Sequence, residues 1–230
     1  MKTKVITKFV FISFLLMSLL AFNSNEKKKV LFFGDSITYL GTRWDSAYIN
    51  LISIYAKESV IDDVEFIGSG VPGDRVTDLY LRMDKDILSK SPDIVVIYIG
   101  VNDIWHKALS GTGTDYKKFG LFYDAIVDKL IDNDIKIVLC TPACIGERTD
   151  FTNEFDGDLN KYSHWIREFA STNSIPLVDL RKSFLAYNKE HNIENLQKGV
   201  LTADGVHLNP EGNILVANEI WTVLKEILIK

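Results

Sequence analysis

The chain has 230 residues, 47% of them hydrophobic and 25% charged, with a net charge of −5. That composition fits one globular domain with a full core and excludes a disordered or fibrous chain. The charge is uneven: residues 1–29 hold six lysines against Glu26 alone, which leaves twenty basic and thirty acidic residues in the remainder. So acidic a body is a poor electrostatic partner for nucleic acid, and excess carboxylates of this kind read as solvated surface rather than as a substrate site.

Lys2, Lys4 and Lys8 precede a fourteen-residue apolar run, FVFISFLLMSLLAF, at 9–22. A positive start followed by a short apolar stretch is the pattern of a secretory signal. It assigns 1–24 to a signal peptide and 25–230 to the working domain. The run is short for a bilayer span, so no stable membrane insertion is expected after its removal. Leu19, two residues before Ala21, leaves the cleavage position open, and an uncleaved N-terminal anchor is the alternative. No cysteine follows the run to accept a lipid. The expected location is outside the cytoplasm, periplasmic or extracellular. Cys140 and Cys144 could oxidise there, but Cys140 ends the apolar run IKIVLC and reads as a core residue. The four histidines show no metal-ligand spacing, and neither metal nor organic cofactor is expected.

Five short apolar runs follow, at 30–33, 64–67, 94–99, 135–139 and 176–178, rich in β-branched and aromatic residues as in strands buried on both faces. Amphipathic stretches separate them at 44–57, 76–88, 119–131 and 159–170. A last one, 210–228, opens on Pro210, where helices tolerate proline. This alternation predicts a three-layer α/β/α sandwich, flavodoxin-like, around a parallel sheet of about five strands.

In such folds ligands sit beyond the carboxyl ends of the strands, so the strand-end residues carry the functional reading. The first strand ends in G-D-S, which lifts Ser36 above the sheet edge; a plain helix cap is the competing role. Near the C-terminus, D-G-V-H sets Asp204 three residues before His207. In a turn, that carboxylate can hold Nδ1 and leave Nε2 for a nucleophile, although a surface turn is the commoner use. In G-V-N-D, Asn102 follows a buried strand, and its amide can donate to a developing oxyanion or form an Asx turn. In V-P-G-D-R, Gly73 is expected to open a helix, with an N–H that a ligand can approach closely.

These four blocks, in order from Val30 to the C-terminus, resemble the SGNH (GDSL-like) hydrolases. The resemblance implies an ester-hydrolysing enzyme with Ser36 as nucleophile, His207 as base and Asp204 as its partner. It also implies an oxyanion hole made by the Ser36 N–H, Gly73 and Asn102. The substrate expected is a small-molecule or glycan ester, such as an acetylated glycan. A lysophospholipase or thioesterase on the same site is the alternative, and a catalytically inert carbohydrate-binding domain is the alternative of another class. Asp35, Arg75, Trp105 and His106 stand beside these blocks and are the candidates for the substrate pocket, with packing or surface roles competing for the last three. Gly68, Gly70 and Gly73 also spell G-x-G-x-x-G. That dinucleotide pattern belongs to an opening strand with an acid closing the next one; here the strand is the second, and Asp93 begins the next. The acids Asp150, Glu154, Asp156 and Asp158 lack calcium-loop spacing and are expected to cap the following helix.

Overall fold

The computed structural model describes residues 27–229. The expected signal segment lies outside them. Among the described residues, no helix is long and apolar enough to cross a membrane.

Five parallel strands form one sheet: β1 (Lys28–Gly34), β2 (Val64–Gly70), β3 (Ile94–Tyr98), β4 (Lys136–Cys140) and β5 (Leu177–Val178). Their order, β2-β1-β3-β4-β5, is the flavodoxin-like one. β1 lies between β2 and β3, with Val30 beside Ile94 and Phe66, and Gly34 beside both Tyr98 and Gly70. The inner strands β1, β3 and β4 are apolar almost throughout, because helices cover both their faces. The edges are a half-exposed β2 and a two-residue β5, short or twisted edges being what keeps a sheet from pairing with other chains.

Successive residues of a strand point to opposite faces, and β1 shows which helices cover which. Phe32 meets Tyr48 edge-on, with ring centroids 5.8 Å apart. Phe33 lies under the Arg82 guanidinium, 4.4 Å from its ring centroid. Tyr48 opens α2 (Tyr48–Glu58), which packs against α8 (Pro210–Ile229). Arg82 belongs to α3 (Val76–Asp86), which packs against α5 (Tyr116–Ile131). α6 (Asp156–Thr172) joins α5 through rings: Phe119 and Tyr123 meet Trp165, which stacks on Phe169 at 4.8 Å.

Three helices were not foreseen: α1 (Ser36–Leu40), α4 (Val101–Ser110) and α7 (Leu180–His191). α1 is too short to leave a periodic signature. α4 begins within the segment read as a strand end, and Gly100, at φ +130°, makes the sharp transition. Other boundaries moved. α2 starts at Tyr48 because residues 44–47 form a turn, closed by the Ala47 N–H donating to the Trp44 carbonyl at 2.9 Å. α3 ends at Asp86 and gives way to a 3₁₀ turn at Leu88–Lys90. Phe155, not an acid, occupies the N-cap of α6; Asp156 and Asp158 lie within its first turn, where negative charge is still favourable. Both cysteines are buried free thiols, and burial pushes each thiol well above its ordinary pKa.

Gly70 is where the sheet meets α1. A Cβ there would collide with the Tyr39 nitrogen and the Asp35 carbonyl oxygen. Gly70→Ala must therefore push α1 off the sheet. Its expected cost is about 1–3 kcal/mol, or roughly 2–12 °C in Tm at ~2–4 °C per kcal/mol for a domain of this size. Thermal denaturation of the variant against the parent measures it.

Candidate active site

The sheet order reverses between β1 and β3, and ligands in doubly wound folds bind at such a point. Four segments converge there: the β1–α1 turn, the loop after β2, the start of α4, and the loop that precedes α8.

Ser36 is the first residue of α1, directly after the Asp35 N-cap. His207 reaches it from the loop before α8, its Nε2 2.9 Å from Ser36 Oγ. On the other side of the ring, Nδ1 lies 2.7 Å from Asp204 Oδ2. The second oxygen of Asp204 accepts the backbone N–H groups of Val206, at 3.0 Å, and His207, at 2.8 Å. Partial burial opposes ionisation of Asp204, but the hydrogen bonds from the His207 ring and the two backbone groups outweigh it and hold the carboxyl below its usual range. A carboxylate in that position fixes the imidazole with Nε2 toward the serine. A serine, an imidazole and a carboxylate so linked can transfer a proton from the hydroxyl to the ring.

Asn102 is buried in the first turn of α4 and donates from Nδ2 to the Asp74 carbonyl at 3.0 Å. An amide nitrogen carries two hydrogens, so one bond holds the group and the other hydrogen remains for a ligand. Gly73, next to Asp74, does not open a helix; it sits at φ +85° in an exposed turn before α3, a conformation glycine adopts freely. The same loop faces α4: a Cβ on Gly73 would lie 4.0 Å from His106 Cε1.

Of the four pocket candidates, two are otherwise engaged. Asp35 is not a pocket residue. It is buried, and its carboxylate turns back to accept the Ile37 N–H at 2.9 Å. Arg75 is folded onto its own helix: Nε lies 2.8 Å from Asp78 Oδ2, and the guanidinium also donates to the Thr112 carbonyl. Trp105 and His106, both half-buried on α4, remain near the site. Trp105 borders a cavity of about 290 Å³ beside the triad, together with Ile145, Phe155, Gln197, Asp204 and Val206. A cavity of about 350 Å³ opens at the other end of the sheet, where β3 and β4 begin, and touches none of these residues.

Sequence reasoning missed the residues that hold this arrangement. The Arg82 guanidinium donates to the Gly34 carbonyl at 2.8 Å, the Ser69 carbonyl at 3.1 Å and Asp74 Oδ2 at 2.6 Å. It thus ties the ends of β1 and β2 to the residue that holds Asn102. Asp103, fully buried, accepts the Val76 N–H at the start of α3 at 3.1 Å. Its only sequence signal was adjacency to Asn102; Arg82 had none.

The G-x-G-x-x-G run is also explained. Gly68 and Gly70 belong to β2, and α3 begins only at Val76, so no helix N-terminus faces a phosphate there. A parallel sheet of this order, with a Ser–His–Asp chain at its switch point, has the architecture of an SGNH-type hydrolase. A model of the GDSL-like Lipase/Acylhydrolase family matches residues 32–214, and the chain belongs to that family. The crystal structure of an acetyl xylan esterase, AlAXEase, is 53% identical, covers 84% of this chain and 98% of its own, and superposes with a TM-score of 0.82. An acetylxylan esterase of Geobacillus stearothermophilus is 25% identical over 209 residues, 83% of this chain and 90% of its own. The uncharacterized lipoprotein YqeF of Bacillus subtilis (strain 168) is 22% identical over 212 residues, 81% of this chain and 85% of its own. The protein is an esterase of SGNH type.

Burial raises the Asp35 carboxyl from 3.8 to about 7; the Ile37 N–H opposes this, and the neighbouring Asp103 adds to it. In the unfolded chain this group loses its proton near pH 4, while the folded protein resists the loss. Its contribution to stability is therefore present below about pH 4 and disappears as the pH rises toward 7. Asp35→Asn caps α1 as well and cannot ionise. The variant should match the parent near pH 4 and exceed it at pH 8 by on the order of a few kcal/mol. Urea unfolding of both proteins across that range measures the difference; parallel curves would refute it.

Proposed function

We propose that the protein hydrolyses acetyl esters of a glycan through an acyl-enzyme on Ser36. The observation that carries this reading is the unbroken chain from Ser36 Oγ through the His207 ring to Asp204, at 2.9 and 2.7 Å. His207 Nε2 takes the Oγ proton as Oγ attacks the ester carbonyl carbon. The oxyanion that forms is met by the Ser36 and Gly73 N–H groups and the free hydrogen of the Asn102 amide. As the carbonyl reforms, the bond to the alcohol oxygen breaks, and His207 returns the proton to that oxygen. Water then enters and gives a proton to His207 as it attacks the acyl carbonyl; the bond to Oγ breaks, His207 returns that proton to Ser36 Oγ, and acetic acid leaves and ionises to acetate.

Two observations favour a sugar as the alcohol. AlAXEase, named an acetyl xylan esterase, shares 53% of its residues with this chain over nearly its whole length. The leaving oxygen must also lie beside His207, and the cavity of about 290 Å³ borders Asp204, Gly205 and Val206 in the turn that presents that ring. An indole beside polar groups suits a sugar ring, which has apolar C–H faces and hydroxyl edges. A domain that only bound carbohydrate would have no use for the hydrogen-bonded serine and imidazole. Long-chain lipid and thioester substrates are the competing outcomes of the assay.

A fluorophosphonate probe should label Ser36 alone among the serines, and Ser36→Ala should lose both labelling and turnover while remaining folded. Asn102→Ala should lower kcat by ~10²–10³ with a smaller effect on KM, because its amide meets charge that exists only in the transition state.

The sugar assignment has its own test. Trp105→Ala should raise KM about 5- to 30-fold for acetylated xylooligosaccharides and change it little for 4-nitrophenyl acetate, since the loss of a stacking surface costs about 1–2 kcal/mol. Equal effects on both substrates, or a preference of the parent for long-chain esters, would refute it.

Export follows from the lysine-flanked apolar run and suits an enzyme acting on polymeric glycan. The lipoprotein name of YqeF points the same way, although this chain has no cysteine before Cys140 to carry a lipid. Cell fractionation that recovers the full-length chain free in the cytoplasm would refute export.

A further inference from the structure

Glu147 is 1% exposed, lies outside every sequence motif, and takes no part in the chemistry above. Its carboxylate accepts three consecutive backbone N–H groups. Oε2 receives Val200 at 2.8 Å, and Oε1 receives Leu201 at 2.7 Å and Thr202 at 2.6 Å. Three successive N–H groups aimed at one point make an anion-binding nest, and here the chain fills the nest with its own side chain. The backbone continues the junction. Glu147 N–H donates to the Gln197 carbonyl at 2.9 Å, and Gly146 N–H to the Gly205 carbonyl at 2.8 Å. Asn192 Nδ2 donates to the Glu147 carbonyl at 2.8 Å.

The segment so held carries Asp204 and His207. Thr202, the last residue in the nest, accepts the Gly205 N–H on its hydroxyl at 3.0 Å and bridges to Leu208. Those two contacts enclose the turn in which Asp204 grips the ring. Leu201, fully buried, anchors the segment in the core against Gly212, where a Cβ would collide with the Leu201 carbonyl oxygen. The nest is thus the junction between the β4–α6 loop and the turn that presents the imidazole.

We propose that Glu147 is a positioning residue that sets the height and direction of His207 above Ser36 by clamping residues 200–202. This rests on the Ser36–His207–Asp204 reading of the site. A displacement of ~1 Å at a reacting group can cost about 100-fold in rate, so a clamp one turn away acts on kcat rather than on binding. Glu147→Gln keeps one oxygen for Leu201 and Thr202 but sets an NH₂ group against the Val200 N–H. Glu147→Ala removes every acceptor.

The test uses the full chain with 4-nitrophenyl acetate, following kcat, KM, melting and the rate of fluorophosphonate labelling. Glu147→Gln should lower kcat about tenfold and slow labelling of Ser36 in proportion, with KM within about twofold; Glu147→Ala should lose about 100-fold in kcat. In an Asp204→Ala background, where the ring has already lost its guide, Glu147→Gln should cost less than about twofold, because linked residues do not act additively. Full kcat in Glu147→Gln, or the same loss in both backgrounds, would overturn the proposal. So would a Glu147→Gln chain with no cooperative melting transition, which would make Glu147 a residue of the fold at large. Labelling of the parent is a separate check: an unlabelled Ser36 in the parent removes the site reading and the proposal with it.

Discussion

A hydrogen bond of 2.9 Å between Ser36 and His207 joins residues 171 positions apart, one just after the first strand and the other just before the last helix. Every layer of the fold bears on that contact. The serine is carried by α1, seated on the backbone of β2 at Gly70. The histidine is carried by a turn packed on α8, and α8 packs on α2 across the same sheet face. A bond between side chains so distant in sequence survives only if both platforms are stiff, since the bond itself contributes about 1 kcal/mol. The five-stranded core supplies that stiffness, and the switch between β1 and β3 brings the two platforms together.

Buried carboxylates recur around the site, and each meets backbone N–H groups. Asp35 receives Ile37, Asp103 receives Val76, and Glu147 receives residues 200–202. Leaving such a group unpaired in the interior would cost several kcal/mol, so each carboxylate commits its partner segment to one conformation. Arg82 is the cationic counterpart, using carbonyls of β1 and β2 and the Asp74 carboxylate. A loop that could move independently is in this way pinned by a group that cannot be left without its partner. The cost appears in Asp35 and Asp103, both raised to about 7 chiefly by burial, which makes the site region less tolerant of alkaline than of mildly acidic conditions.

The sheet was legible in the sequence because strands covered on both faces read as continuous apolar runs. Ser36, Asn102, Asp204 and His207 were legible because they occupy strand ends and a C-terminal turn, and the structure brings Ser36, Asp204 and His207 into one hydrogen-bonded chain. Gly73 was found for its lack of a Cβ, yet its place was misjudged, because nothing local says that two more residues, Asp74 and Arg75, precede the helix. Asp35 was misread because the residue beside Ser36 can face the opposite way, here to cap a helix of five residues. Arg82 and Glu147 were invisible for a common reason. Arg82 reaches Gly34, 48 positions away, and Glu147 reaches Thr202, 55 away. Arg82 also sits four residues before Asp86, a spacing that reads as an ordinary solvated helix pair.

The two halves of the site are consequently held by different means. Ser36 and Asn102 rise directly from inner strands, and their positions share the stability of the sheet. His207 depends on a loop held by the buried Leu201 and Val206 side chains, the Glu147 nest, and the backbone bonds of Gly146 to Gly205 and of Glu147 to Gln197. On the proposed mechanism, a shift of that loop would draw the imidazole away from Ser36 while the serine and the Asn102 amide kept their places, and it would leave the sheet intact. On that reading, activity depends more closely than the fold does on the hydrogen bonds that keep one turn against one buried glutamate.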